Sequence, residues 1–266
     1  MPQLFHYLRT WITLGLLCLV LGWSLPAQAV SEINPHLEQQ VLQVLREHPE
    51  VIIESVQAYQ EQQQKQFKQA QQVFLQDLKI NPQLVIGDSP TIGSAQSKIV
   101  LVEFSDFQCP YCAEAHKKLK LLLAKHKNDF ILAYKHFPLT EIHAEALPAA
   151  QAAWAGNQQG KFWEYHDALF TNQKGLGKDL YLDIAKKLKF DLQKFERDRL
   201  LANTAIEQDI QLAQKLGIAG TPTFLMSSKN FSGVVQLSDI ESQLANTENK
   251  KVSTVGFPPI HLRQQR

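Results

Sequence analysis

Residues 102–112 read Val102-Glu103-Phe104-Ser105-Asp106-Phe107-Gln108-Cys109-Pro110-Tyr111-Cys112. The apolar, β-branched run that leads into them, residues 98–104, has the pattern of a buried strand. Residues 110–126 place Leu119, Leu122 and Leu123 on one helical face, and residues 130–137 read as a second strand. A strand, a helix and a strand in that order predict an α/β fold. The two cysteines therefore stand where a strand hands over to a helix N-terminus.

That position gives the pair its chemistry. The free backbone N–H groups and dipole of a helix N-terminus favour negative charge. A cysteine there has its pKa lowered from ~8.5 into the range of about 3.5–7.5, and the thiolate is the attacking species. Pro110 suits the first helical turn, which needs no N–H partner. The spacing brings both sulfurs to one turn, close enough to bridge. Cys109 is thus predicted to be the exposed nucleophile and Cys112 the resolving thiol that closes the ring. The competing use of such a pair is half of a zinc site, with His116 as a third ligand. Structural zinc takes four ligands, usually from two such pairs, and no second pair exists here. No metal and no cofactor is expected, and His116 reads as a solvated helix residue.

Residues 1–29 contain Arg9, an apolar run over 11–25 and then Pro26-Ala27-Gln28-Ala29. This is the pattern of a signal peptide cut after Ala29. The alternative is an uncleaved anchor, but 15 apolar residues reach roughly 22 Å as a helix, short of the ~30 Å hydrocarbon core. Of the chain's three cysteines, Cys18 falls in this segment, so Cys109 and Cys112 remain in the mature protein. An exported chain with a single close pair has cysteines that react rather than staple. Lys and Arg number 27 against 26 Asp and Glu, a balance that points away from nucleic acid.

Residues 30–80 are rich in glutamine and predict a short helix followed by a long one. Asn34-Pro35 and Pro49 mark the two starts. Ile52, Val56, Tyr59, Phe67, Ala70 and Phe74 form a narrow apolar seam. Such a seam packs either on its own domain or on another copy of the same helix. Residues 81–97, with Pro82, Gly87, Pro90 and Gly93, read as a linker, and residues 98–247 as the globular domain. A helical stretch over about 139–217 precedes strands at 221–226 and 231–237, a short helix at 239–245 and a flexible tail over 248–266. Gly217 suits a helix C-cap.

The stretch 102–112, followed by Gly220-Thr221-Pro222-Thr223-Phe224, resembles the DsbA-like branch of the thioredoxin superfamily. The resemblance covers roughly residues 84–246. It implies a thioredoxin-like fold with a helical insertion, here preceded by the N-terminal helical extension, and protein-disulfide oxidoreductase activity. It implies that Pro222 is a cis-proline against the cysteines and that the Thr221 backbone pairs with substrate. It gives Glu103 the role of a buried acid that shuttles protons for Cys112. A carboxylate inside an apolar strand agrees with that role, and an edge-facing Glu103 is the alternative. The implied partners are unfolded or misoxidised exported proteins and a membrane redox partner that recycles the cysteines, with the periplasm as the expected compartment. Of the aromatics in the insertion, Trp154, Phe162, Trp163, Phe170 and Tyr181, most are expected in the core. Two departures stand out. Pro110-Tyr111 replaces the Pro-His of the best-known oxidases. The 31–80 segment is similar to the stalk of the suppressor-of-copper-sensitivity proteins, which oligomerise and act more as isomerases. A disulfide oxidase is the favoured expectation, with an isomerase or reductase, oligomeric through 31–80, as the alternative.

Overall fold

The computed structural model describes residues 34–252, apart from residues 95, 98, 127 and 229–231. The segment read as a signal peptide and the last fourteen residues lie outside the described residues. Among the described residues, no helix is long and apolar enough to cross a membrane.

The chain divides into two units at Tyr59 and Gln60. The first holds helix α1 (Pro35–Glu47) and the start of helix α2 (Pro49–Ile80). Asn34 caps α1 by accepting from the His36 N–H at 3.0 Å, and prolines open both helices, so the short-then-long pattern is as expected. No residue of α1 is buried, and Val44, Val51, Val56 and Tyr59 are all about half exposed or more.

The second unit is built on a five-stranded sheet in the order β1–β3–β2–β4–β5. The strands are β1 (Thr91–Gly93), β2 (Val100–Ser105), β3 (Ile131–His136), β4 (Thr223–Ser227) and β5 (Ser232–Val235). β2 and β3 are parallel and the other pairs antiparallel. Every residue of the central strand β2 is buried, because helices cover both faces. Alternation sorts its side chains. Val100, Val102 and Phe104 pack with Phe74 and Leu78 of α2 and with Ala213 and Leu216. Leu101 packs on the opposite face with Ala115 and Leu119 of helix α4 (Pro110–Lys125), and the polar Glu103 and Ser105 share that face's alternation.

Helix α3 (Pro82–Ile86) precedes β1. The insertion comprises α5 (Ala146–Asn157), α6 (Phe162–Thr171), a 3-10 turn (Gln173–Gly175), α7 (Lys178–Lys187), α8 (Leu192–Leu201) and α9 (Asn203–Lys215). Its hub is α5, where six alanines and Gly156 are buried; a Cβ on Gly156 would sit 3.1 Å from that of Tyr165. At the end of α9, Gly217 takes φ +67 and the Ile218 N–H donates to the Ala213 carbonyl, as the C-cap reading expects. A Cβ there would meet the Phe67 ring at 2.7 Å.

Two expectations are corrected, and part of the seam takes one of its two alternatives. From Gln60 on, α2 belongs to the second unit, where Phe74 and Leu78 join the core and the Gln71 amide donates to the Leu216 carbonyl at 2.7 Å. Burial of each such side chain contributes roughly 1.5–3 kcal/mol, which fixes this part of the seam on its own domain. The linker at 81–97 contains α3 and β1; Pro82 and Gly87 start and stop a helix of only five residues, and three-residue β1 is too short for periodicity to show. The last helix, α10 (Leu237–Val252), runs well beyond 239–245 and into the segment read as tail.

Candidate active site

The site lies where β2 ends and α4 begins. Ser105 closes the strand, Asp106 to Gln108 turn the chain, and Cys109 is the N-cap residue of α4 in extended conformation (φ −69, ψ 123). Pro110 occupies the first helical turn, and the N–H groups of Cys112 and Ala113 donate to the Cys109 carbonyl at 3.1 and 3.2 Å. Both cysteines are free thiols. Tyr111 points outward and is 76% exposed.

The second segment arrives from 112 residues further along the chain. The Thr221–Pro222 peptide bond is cis, and the Thr221 carbonyl lies 3.4 Å from Cys109 Sγ. Thr221, Pro222, Cys109 and Cys112 are thus gathered as the reading requires. Cys109, however, is only 4% exposed, where an exposed nucleophile is expected: the loop holding Thr221 lies over it. Cys112 is fully enclosed.

The two thiols differ strongly. The Cys112 thiol donates to the Cys109 sulfur, and with smaller help from Thr221 and the Cys112 and Tyr111 N–H groups it overcomes burial and lowers the Cys109 pKa to about 5. Burial, reinforced by the neighbouring Cys109 sulfur, pushes Cys112 far up. Near neutral pH the pair therefore carries one negative charge, on the sulfur at the helix N-terminus. Glu103 is 1% exposed rather than edge-facing, and burial raises its carboxyl to about 7.

Two supports of this loop escape the sequence reading. Asp106 is buried; its Oδ1 accepts from the Gln108 N–H at 2.7 Å, and its Oδ2 accepts from the Leu139 N–H at 3.0 Å and sits 2.7 Å from His143 Nδ1. Gln173, from the 3-10 turn, donates to the carbonyls of Phe107 and Cys109, each at 2.9 Å. The Asp106–Gln108 bond is an Asx turn, which an aspartate between a strand and a helix could have signalled. Gln173 gives no such signal, because its partners lie more than sixty residues away. Asp106→Ala strands several buried donors, so it should cost about 3 kcal/mol, read as a lower denaturant midpoint with unchanged slope.

His116 is a further correction. It is 9% exposed, not solvated, because α6 packs over it: its ring stacks on Phe170 and lies 5.1 Å from that of His166. Cys109, Cys112 and His116 do not form a ligand set. The metal-sized group among the described residues is His116, His166 and Asp167, with no cysteine. Phe162, Phe170 and Tyr181 are core residues as expected, while Trp154 and Trp163 are half-buried, Trp163 donating to the Thr91 carbonyl at 2.8 Å.

A family model described as Thioredoxin matches residues 86–246. Among solved structures, the catalytic domain of Proteus mirabilis ScsC is 27% identical with a TM-score of 0.53, covering 68% of this chain and 99% of that one. The thiol-disulfide exchange protein alpha-DsbA2 from Wolbachia pipientis shares the fold at 20% identity and a TM-score of 0.55, over 66% of this chain and 97% of that one. Among curated relatives, the Na(+)/H(+) antiporter NhaA 3 of Salinispora tropica is 36% identical over 144 residues, which is 53% of this chain but 22% of that protein. The chain spans about a quarter or less of the length of the curated relatives it matches. With the family model matching more than half of its length, and both signature segments folded against each other, the chain belongs to the thioredoxin family.

Proposed function

We propose that the chain is an exported, periplasmic thiol–disulfide oxidoreductase that donates the Cys109–Cys112 disulfide to unfolded or misoxidised exported proteins and is reoxidised by a membrane redox partner. The observation that carries this reading is the free Cys109–Cys112 pair at the N-terminus of α4, with Cys112 enclosed and the Thr221 carbonyl, beside the cis Thr221–Pro222 bond, 3.4 Å from Cys109 Sγ; the neighbouring Cys112 thiol lowers the Cys109 pKa to about 5. A stabilised thiolate favours the reduced form of the pair and so makes its disulfide oxidising. The Thr221 carbonyl beside Cys109 would receive the backbone of an extended substrate. The expected reduction potential, from equilibration with glutathione buffers, lies nearer about −120 mV, the strong-oxidant end, than about −270 mV, the thioredoxin end. A value at the reducing end would sink the donor assignment.

One observation favours a second reading, an isomerase or reductase that works as a homo-oligomer. In the first unit, Leu37, Val41, Val44, Val51, Ile52, Val56 and Tyr59 remain exposed. A second copy is the natural cover for such a surface. Such an oligomer would use residues 37–59, since Phe74 and Leu78 are already buried in the core. A reducing potential would move the assignment to this reading.

A further inference from the structure

Between the sheet and helices α4 and α6 lies a layer of buried polar side chains. Glu103 and Ser105 leave the same face of β2, and their register partners on β3 are Tyr134 and His136. His166 comes down from α6, its ring 5.1 Å from that of Tyr134, and the His116 ring of α4 is 5.1 Å from His166. Phe107, Phe162 and Phe170 wall the layer. Glu103, Ser105, Tyr134, His136 and His166 are each at most 4% exposed.

Among the described residues both His136 ring nitrogens and His166 Nε2 have no hydrogen-bond partner, and the Glu103 carboxyl and the Tyr134 hydroxyl have only a loose contact with the Ser105 hydroxyl. Each such atom left dry would cost about 1–3 kcal/mol, and buried polar groups grouped in this way are satisfied by ordered water. At its outer end the layer reaches the surface. His166 Nδ1 and His116 Nε2 lie 3.5 and 3.6 Å from Asp167 Oδ1. The Asp167 carboxylate is 37% exposed and accepts from Lys120 Nζ at 2.8 Å.

We propose that this layer is a proton path, by which Glu103 exchanges its proton with solvent through ordered water, Tyr134 and the imidazoles of His166 and His116, opening at Asp167. The inference rests on the thiol–disulfide reading. In the donating direction a substrate thiolate attacks Cys109 Sγ, a substrate–Cys109 disulfide forms, and the Cys109–Cys112 bond breaks with its electron pair on Cys112. Glu103 gives that sulfur its proton, and the carboxylate left behind takes one proton from bulk water. The pair is reduced and the substrate oxidised when a second substrate thiolate displaces Cys109.

The side chains suit the task. A neutral imidazole carries one N–H and one lone pair, so it takes a proton at one nitrogen and releases one from the other. Burial holds His116 at about 4 and His136 at about 3, with His166 also below its ordinary value, so none of them traps the proton. Lys120 and Lys135 act in the same direction, and Asp167 opposes them at His116 and His166. The Tyr134 phenol stays protonated, held up by burial and by Glu103 and Cys112 nearby.

The test uses the full mature chain, stripped of divalent cations, and compares wild type with His166→Phe and His116→Ala. Oxidised protein is mixed with dithiothreitol, and the single-turnover rate of Cys112 release is followed in H2O and D2O. Both variants should slow this step about 10-fold near neutral pH, with a larger solvent isotope effect than wild type. The reduction potential and the Cys109 pKa should not move, and added imidazole should restore part of the rate in His116→Ala. Folded variants with the wild-type rate and isotope effect overturn the path. So does a slowing that travels with a shifted potential and is not rescued, which marks a structural role. If His166→Phe does not fold, His116→Ala at the rim decides alone. A wild type with no exchange at all overturns the thiol–disulfide reading and the path together, whereas normal exchange in all three proteins overturns the path only.

Discussion

Cys109→Ser is expected to abolish exchange, and Cys112→Ser to accumulate mixed disulfides between Cys109 and substrate. The asymmetry follows from the two pKa displacements. With its pKa lowered to about 5, Cys109 is almost wholly thiolate near neutral pH, while Cys112, fully buried, stays protonated. Only the first can open a disulfide, so its loss should reduce the rate by at least about 10³-fold. Without Cys112 the first attack still proceeds, but no neighbouring thiol completes the ring, and the substrate remains attached. Non-reducing gels and intact mass would show adducts on Cys112→Ser and none on Cys109→Ser; the opposite pattern would reverse the roles.

The same pair offers a finer reading. The largest cause of the low Cys109 pKa is the hydrogen bond from Cys112. Serine at 112 can still donate, whereas alanine cannot. The Cys109 pKa, followed by thiolate absorbance, should therefore rise more in Cys112→Ala than in Cys112→Ser. Equal values would mean that the helix N-terminus, not the partner thiol, holds the charge.

The features legible in the sequence are those written locally. Residues 98–112 carry the buried strand, the turn and the helix start in one stretch, and the largest cause of the low Cys109 pKa, the Cys112 thiol, lies within it. The pairing of Thr221-Pro222 with Cys109 follows from the family resemblance, since no local pattern ties positions 112 apart. What stayed hidden is set by tertiary packing. His116 faces solvent on a bare helix and is buried only because α6 lies over it. Gln173 and Asp106 act by accepting or donating across loops, and β1 exists because β3 offers it an edge. The seam of α2 reads as one stripe in sequence, yet Phe74 is covered by the sheet's helical layer and Tyr59 is not, a division that periodicity does not contain.

Glu103→Gln should make the reduced protein more stable at alkaline pH and slower in the Cys112 step. Burial raises the carboxyl from 4.5 to about 7. Below pH 4.5 it is protonated in folded and unfolded chains alike and contributes no difference. As pH rises from 4.5 to about 7 the unfolded chain gives up a proton that the folded chain keeps, so stability falls across that window. Above it the folded state bears the whole burden of a buried charge, about 3 kcal/mol. Glutamine keeps the shape without the charge, so the variant's advantage in urea unfolding should be near zero in acid and grow to about that size in base. Cys109 works the other way in reduced protein: its lowered pKa gives stability present above pH 9 and lost as pH falls through about 5. That slope is common to wild type and variant and cancels in their difference. A carboxyl kept at such a cost is kept for what it does, so the gain in stability should come with a loss of about 10²-fold in the rate of Cys112 release. Stability gained with the rate intact would mean that Cys112 exchanges its proton by another route. A variant no more stable than wild type at any pH would mean that the carboxylate is not buried in solution, and the shuttle role would fall with it.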